Sequence, residues 1–310
     1  MSGLDVLVTE GWDDYALLDS GNGRKLERYG TFKFVRPEAQ ALWQPASLEW
    51  QHDGEFTGGR DDEGGGRWDL EYHVPERWAI GRGPVRFHAT NTPFRHLGFF
   101  PDMGAQWDWM RAQTAPGMRV LNMFGYTGVG SLIAAEAGAQ VTHVDASKKA
   151  VAAARDNAAL TGLAETSVRW LTDDALKFMR REVRRGSKYH SILLDPPKYG
   201  RGPEGEVWHL ERDLPELVTL ARQLLADDAS FVVLTVYAIR LSALALEALM
   251  AQAMPPGTIT SGDMALREEA RGLLLPTAIF SRWSDDTDRR PNDKAKQEPP
   301  AGRTDGPAPS

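Results

Sequence analysis

The segment Val120-Leu121-Asn122-Met123-Phe124-Gly125-Tyr126-Thr127-Gly128-Val129-Gly130 constrains this chain more than any other. An apolar run with strand character enters a glycine-rich turn and leaves into a run of small, helix-forming residues. That is the βα junction of an open α/β sheet, where such folds place ligands at the carboxyl ends of their strands. Glycine allows the backbone to approach a ligand that a Cβ would obstruct. The glycines are spaced Gly125-x-x-Gly128-x-Gly130, which is not the G-x-G-x-x-G order of the dinucleotide fingerprint.

The surrounding pattern agrees. Between Arg86 and Trp283, strand-like and helix-like runs alternate. The expected strands are Arg119–Phe124, Gln140–Asp145, Val168–Leu171, Ser191–Asp195 and Phe231–Val236. The expected helices are Gly130–Ala137, Ser147–Leu160 with Ser147 as cap, Ala175–Arg184, Leu214–Leu225 and Leu241–Ala253. This predicts an α/β, doubly wound, mostly parallel sheet. Thr258–Leu266 and Leu273–Trp283 have no helix between them and are expected to pair as a C-terminal antiparallel hairpin. Residues 1–85 are richer in Gly and aromatics, with a turn at Ser20-Gly21-Asn22-Gly23, and predict a small β-rich domain with a possible role in substrate recognition. Residues 86–284 form the second domain, and residues 285–310, polar and Pro-rich, predict a disordered tail.

Composition narrows the chemistry. The 310 residues contain no cysteine, which excludes disulfides, thiolate metal sites and a cysteine nucleophile. The seven histidines form no paired ligand spacing, so no metal is expected. A net charge of −7 argues against a surface that grips nucleic acid all over, though not against local basic patches. Two are visible: Gly23-Arg24-Lys25-Leu26-Glu27-Arg28-Tyr29-Gly30, and the helix with Lys177, Arg180, Arg181, Arg184, Arg185 and Lys188. For the first, RNA contact and a solvated hairpin are equal readings; for the second, a plain charged helix face is preferred. The ten tryptophans are read mainly as packing. No apolar run is long enough to span a bilayer and no signal pattern starts the chain, so a cytoplasmic location is expected. The oligomeric state is not legible.

Two constellations carry the chemistry. Asp145 ends the second strand, twenty residues after Gly125, where a carboxylate can accept hydrogen bonds from both hydroxyls of a ribose. Asp173-Asp174-Ala175 follows the third strand, and Asp174 is either a ligand contact or a helix cap. The fourth strand ends in Asp195-Pro196-Pro197-Lys198-Tyr199. The prolines stiffen the backbone and have no N–H. Their carbonyls and the Asp195 carboxylate form a set of acceptors for an N–H group, and Tyr199 offers a face for stacking. Lys198 is read as solvent-facing in preference to phosphate-binding.

These motifs resemble the S-adenosylmethionine (SAM)-dependent methyltransferases of class I, in particular the ribosomal-RNA group that includes the 23S rRNA cytosine-C5 and guanine-N7 enzymes. The similarity rests on Val120–Ser131, Asp145, Asp173-Asp174, Asp195-Pro196-Pro197-Lys198 and the approach segment Phe94–Asp102. It implies the class I fold and SAM as cofactor. By motif position it gives cofactor roles to Phe100, Asn122, Phe124, Gly125, Tyr126, Thr127, Gly128, Asp145, Ala146, Asp174 and Ala175. The target-site role falls to Asp195, Pro196 and Pro197, with Tyr199 beside them. The cytosine-C5 members carry a cysteine after the fifth strand; here that region reads Leu234-Thr235-Val236-Tyr237-Ala238-Ile239-Arg240. Methylation at carbon 5 of a pyrimidine by the usual route, thiolate attack on carbon 6, is therefore excluded, and a nitrogen of an RNA base is the expected acceptor. A small-molecule or protein nitrogen or oxygen is the alternative acceptor. A nicotinamide oxidoreductase and a non-catalytic RNA-binding module are more remote.

Overall fold

The structure is a computed structural model and describes residues 4–58, 66–163, 167–237 and 240–285. All but the first residue of the expected tail at 285–310 lies outside the described residues, as do Gly59 to Gly65, Ala238 and Ile239.

The first part of the chain is all strand: β1 (Asp5–Thr9), β2 (Tyr15–Gly21), β3 (Arg24–Tyr29), β4 (Phe32–Pro37), β5 (Gly54–Gly58), β6 (Gly66–Leu70), β7 (Arg77–Arg82) and β8 (Val85–Thr90). A short 3₁₀ turn, Pro101–Met103, leads into α1 (Gly104–Gln113). Strands and helices then alternate: β9 (Arg119–Met123), α2 (Val129–Glu136), β10 (Gln140–Asp145), α3 (Lys148–Thr161), β11 (Val168–Thr172), α4 (Ala175–Arg185) and β12 (Ser191–Leu194). A small hairpin, β13 (Tyr199–Arg201) and β14 (Val207–His209), interrupts the alternation. It resumes with α5 (Leu210–Leu224), β15 (Phe231–Val236) and α6 (Ala243–Ala253), and the described chain ends with β16 (Thr258–Arg267) and β17 (Leu274–Ser284).

Eight strands form the large sheet in the order β1-β16-β17-β15-β12-β9-β10-β11. Strands β15, β12, β9, β10 and β11 are mutually parallel, and β17 is antiparallel to both β15 and β16. β9 has β10 on one side and β12 on the other, so the winding direction reverses there. The crevice at the carboxyl ends of β9 and β12 is the topological switch point, the place such sheets reserve for ligands.

Side-chain alternation explains the two-faced burial. Val120, Leu193, Phe231 and Val233 face one cluster with Trp107, Met110, Val129 and Ile133 of α1 and α2. Leu121, Ile192, Leu194, Val232 and Leu234 face the other, with Phe178, Leu217 and Leu246 of α4, α5 and α6. Both faces are apolar, as a parallel sheet covered on both sides requires. Caps set the helix limits: the Ser147 hydroxyl accepts from Ala150 N at 3.2 Å, and Gly162 and Gly186 close α3 and α4 in the left-handed conformation. α5 starts four residues before the expected Leu214, because the Asp213 carboxylate accepts from His209 N at 2.8 Å and stabilises an earlier first turn.

The β-rich part differs from a free-standing domain of residues 1–85. β2 to β6 form their own five-stranded sheet, and the Asn22-Gly23 turn joins β2 to β3 as read. β1, however, pairs in parallel with β16 and extends the large sheet, satisfying what would otherwise be a bare edge. The boundary at 85 would also cut the β7–β8 hairpin, in which Arg82 pairs with Val85 and whose second strand packs on α2 and α3. Trp12, Tyr15, Tyr29 and Phe34 share one buried cluster with the α1 and α2 residues. The period-2 pattern marks strands but does not say which sheet a strand joins. Trp12, Trp107, Trp208 and Trp283 are buried, in keeping with tryptophan as packing material.

Candidate active site

The glycine turn is held from below. Phe124 and Tyr126 have φ of 56° and 47°, a left-handed backbone that side chains rarely adopt, on either side of Gly125. Gly125 N donates to Val144 O at 3.1 Å, and Tyr126 N donates to Asp145 Oδ2 at 2.9 Å. A Cβ on Gly125 would stand 2.4 Å from the His143 ring, so only glycine fits. Beneath it the Asn122 amide donates to Ser131 Oγ at 2.9 Å, and Ser131 Oγ meets His143 Nδ1 at 3.0 Å. Burial drives the His143 imidazole down to about 3, so it stays neutral. Asn122 thus acts as part of the floor that fixes the turn.

The other Asp145 oxygen accepts from Ser147 N at 2.8 Å. Burial raises its pKa, against the pull of the two amides. The carboxylate therefore ties the turn to the start of α3, and each oxygen keeps a second lone-pair direction for a ligand hydroxyl. Gly128, with φ of 86°, starts α2. Asp174 Oδ1 accepts from Lys177 N at 2.9 Å, which is the helix-cap alternative. Ala146 and Ala175 flank these acids in the chain.

A cleft opens at the switch point, and Phe100, Asn122, Phe124, Gly125, Tyr126, Thr127 and Asp195 are among the residues that line it. Of the expected cofactor and target residues, Gly128, Asp145, Ala146, Asp174, Ala175, Pro196, Pro197 and Tyr199 stand outside that lining. Thr127 is anchored from the approach segment, its hydroxyl donating to Gly98 O at 2.7 Å. The Phe100 ring lies 6.1 Å from Tyr126 and 5.2 Å from Tyr237, and closes one wall.

Asp195 enters the cleft from the end of β12. Burial, reinforced by the neighbouring Asp102 carboxyl, pushes Asp195 up to about 7. Asp102 is itself buried, and burial raises its pKa as well. It accepts from the Thr277 hydroxyl at 3.0 Å. The buried Tyr237 hydroxyl has no partner in full hydrogen-bond geometry, but burial and then the nearby Asp102 and Asp195 charges hold its pKa well above the usual value. Two carboxyl groups and a phenol thus converge in an apolar crevice. Pro197 departs from the expected acceptor set: its carbonyl is taken by Trp208 Nε1 at 2.6 Å, and the Trp208 ring lies 5.0 Å from Phe124. The second proline thus clamps the loop through one lone pair of its carbonyl.

Sequence reasoning gave no role to Asp102, Tyr237, Thr277, Trp208 or His96. Burial, then Arg36 and Arg95, lowers His96 to about 4, and its ring packs 5.2 Å from Phe100 and 5.5 Å from Tyr126. The signal that could have found it and Asp102 was the approach segment that contains both. Nothing local marked Thr277, which is 175 residues from Asp102.

The two basic runs are both largely engaged within the fold. In the first, Lys25, Glu27 and Tyr29 are buried. Arg36 holds Glu27 through two contacts of 2.7 and 2.8 Å, and Tyr15 OH donates to Glu27 at 2.7 Å. Burial opposes ionisation of Glu27, yet Arg36 and Lys25 bring it down to about 2. Arg36 Nη1 also donates to Arg95 O at 2.9 Å, which carries the network to the approach segment. On α4, Lys177 pairs with Glu204 and Glu206, Arg180 with Glu216, Arg181 with Asp173 and Arg185 with Glu182, which is the charged-face reading.

A reversed sheet of this order, with an antiparallel β17 and a glycine turn at the switch point, defines a class I methyltransferase. The chain belongs to the S-adenosylmethionine-dependent methyltransferase family, which matches residues 61–238. The crystal structure of a SAM-dependent methyltransferase from Agrobacterium tumefaciens superposes with a TM-score of 0.86 at 45% identity, over 90% of this chain and 93% of that one. Ribosomal RNA large subunit methyltransferase I of Aeromonas hydrophila is 37% identical over 116 residues, which are 37% of this chain and 29% of that protein. Ribosomal RNA large subunit methyltransferase K/L of Chromohalobacter salexigens is 33% identical over 159 residues, 51% of this chain and 21% of that protein. The chain thus spans less than a third of the length of these ribosomal-RNA relatives. It is a methyltransferase and its cofactor is SAM. The residues present suit that group: a strained glycine turn, a carboxylate at the end of β10 and an aromatic-walled cleft. Among the described residues no cluster could hold a metal and no helix is long and apolar enough to cross a membrane.

Proposed function

We propose that this enzyme methylates a nitrogen of a base in RNA, with ribosomal RNA as the substrate class. The observation that carries the reading is Asp195 at the switch point, poised at about 7 in a chain without cysteine. When bound, SAM supplies an electrophilic methyl on its sulfonium sulfur. Gly125, Tyr126 and Asp145 bind its adenosine side, with Phe100, Phe124 and Thr127 shaping the cleft. Asp174, Ala146 and Ala175 border the adenine end, the cap of α4 being the price of any contact there.

Asp195 accepts the N–H of the target base and turns the nitrogen lone pair toward the methyl. As the N–CH₃ bond forms and the S–CH₃ bond breaks, the nitrogen proton passes to the Asp195 carboxylate and then to solvent. A base with a pKa near the working pH suits that transfer. Pro196 and Pro197 hold the loop rigid, so that positioning supplies much of the rate. The ribosomal-RNA relatives support the RNA half of the reading, and an RNA target fits a cytoplasmic enzyme.

Methyl-labelled SAM offered with ribosomal RNA and with a protein extract tests this. Label in RNA is expected. Label confined to protein or small molecules would overturn the RNA substrate and leave the methyltransferase intact.

A further inference from the structure

The hairpin that follows Pro197 is not needed to complete the cleft, and its two faces differ sharply. Tyr199 pairs with His209, Gly200 with Trp208, and Arg201 with Val207. In an antiparallel pair, directly opposed residues project from the same face, and residues two apart share it. One face is therefore Gly200 and Trp208, with Trp208 buried against Phe124 and bonded to Pro197 O. The other is Tyr199, Arg201, Val207 and His209, and all four are exposed. The Tyr199 and His209 rings meet edge to face at 5.0 Å.

The charge around this face differs from that on α4. Lys198 and Arg201 are exposed and form no salt bridge among the described residues. The acids at the hairpin turn, Glu204 and Glu206, are taken up by Lys177. Two unneutralised cations thus bracket an exposed aromatic pair, four residues from Asp195. In the approach segment a further aromatic is exposed: Phe94 is 43% exposed and stacks on His96 at 5.5 Å and 20°.

We infer that the β13–β14 hairpin is a landing platform for the single-stranded nucleotides that flank the target base, with Tyr199 and His209 stacking on a neighbouring base and Lys198 and Arg201 meeting its phosphates. This rests on the RNA reading above and assigns a recognition element to it. Aromatic faces take any base by stacking, and cations track the backbone. A base presented to Asp195 must leave its own stack, and its neighbours then need a replacement surface. Trp208 fastens the platform to the Asp195 loop, so a flanking nucleotide held there places the target base relative to Asp195.

The test compares Lys198→Gln/Arg201→Gln, Tyr199→Leu and Tyr199→Phe with the unaltered enzyme, using SAM and protein-free ribosomal RNA over a range of salt. The charge variant should raise KM for RNA at least about five-fold, much more than it lowers kcat, and should flatten the salt dependence by about 0.7 in the log–log slope per lost phosphate contact. Tyr199→Leu should cost at least about five-fold in KM, the lower edge of base–aromatic stacking, and Tyr199→Phe should restore it. SAH titration checks that each variant keeps its cofactor site. RNA methylation with unchanged KM and salt slope in these variants would overturn the platform alone. If the unaltered enzyme labels protein and not RNA, the substrate reading fails and takes the platform with it.

Discussion

The two sides of the cleft are built by opposite means. The proposed cofactor side is a backbone device in which neighbouring segments satisfy one another: Gly125 N on Val144 O, Tyr126 N and Ser147 N on Asp145. The proposed acceptor side is a side-chain device. Asp195 and Asp102 lie close together in a buried, largely apolar setting, and the Tyr237 phenol stands beside them. The contrast suits the two tasks. A cofactor bound in every cycle is best met by a preformed cradle, whereas a group that must handle a proton is best kept close to its own titration point.

The largest effect that would break this division is at Asp195. Asp195→Ala should lower kcat by about 10² or more, the usual range for a positioned acid or base, while SAH affinity changes little. An equal loss in both would place Asp195 on the cofactor side. The next largest is structural. Arg36→Met leaves Glu27 charged and buried, and the loss of a buried partner costs about 3–5 kcal/mol in denaturant unfolding. Arg36 also holds Arg95 O, so the variant should show extra mobility at Phe94–Phe100 by hydrogen exchange. Asp145→Ala should weaken SAH binding by about 10- to 100-fold, in line with the worth of hydrogen bonds to a charged group, and leave kcat at saturating SAM less affected.

The smallest effect is the most discriminating. Asp195 has a pKa raised to about 7, so it is protonated below that pH and accepts a proton above it. The rate should therefore rise with pH through about 7 and level off. Asp102→Asn removes the like charge and should move that midpoint downward; burial, the larger cause, should keep it above that of a free carboxyl. Stability runs the other way. A carboxyl with a raised folded pKa binds more protons folded than unfolded, so its contribution falls as pH rises from about 4 to about 7. Asp195→Asn should flatten both profiles.

The same contrast explains what was legible in the sequence. Local devices were readable: the strand–glycine–helix order around Gly125, the Ser147 cap, the Asp145 strand end and the antiparallel β17 all sit within one or two adjacent elements. Devices assembled from distant pieces were not. Asp102 comes from a 3₁₀ turn, Thr277 from the last strand and Tyr237 from the end of β15. The basic run at 23–30 left two equal readings because its spacing does not reveal that Arg36 and Glu27 meet inside the sheet. The pairing of β1 was not legible for the same reason, since its partner β16 begins more than two hundred and fifty residues later. That the Pro197 carbonyl also accepts from Trp208 was not legible, because Trp208 lies in a hairpin whose pairing only the folded chain reveals.

The central claim is methyl transfer to a nitrogen of an RNA base by a chain without a thiolate. Mass spectrometry of ribosomal-RNA nucleosides from cells with and without the gene tests it most directly. The account predicts one N-methylated nucleoside that is lost with the gene, returns with the intact gene and does not return with the Asp195→Ala variant. Loss of 5-methylcytidine instead, or an unchanged set of nucleosides, would contradict it.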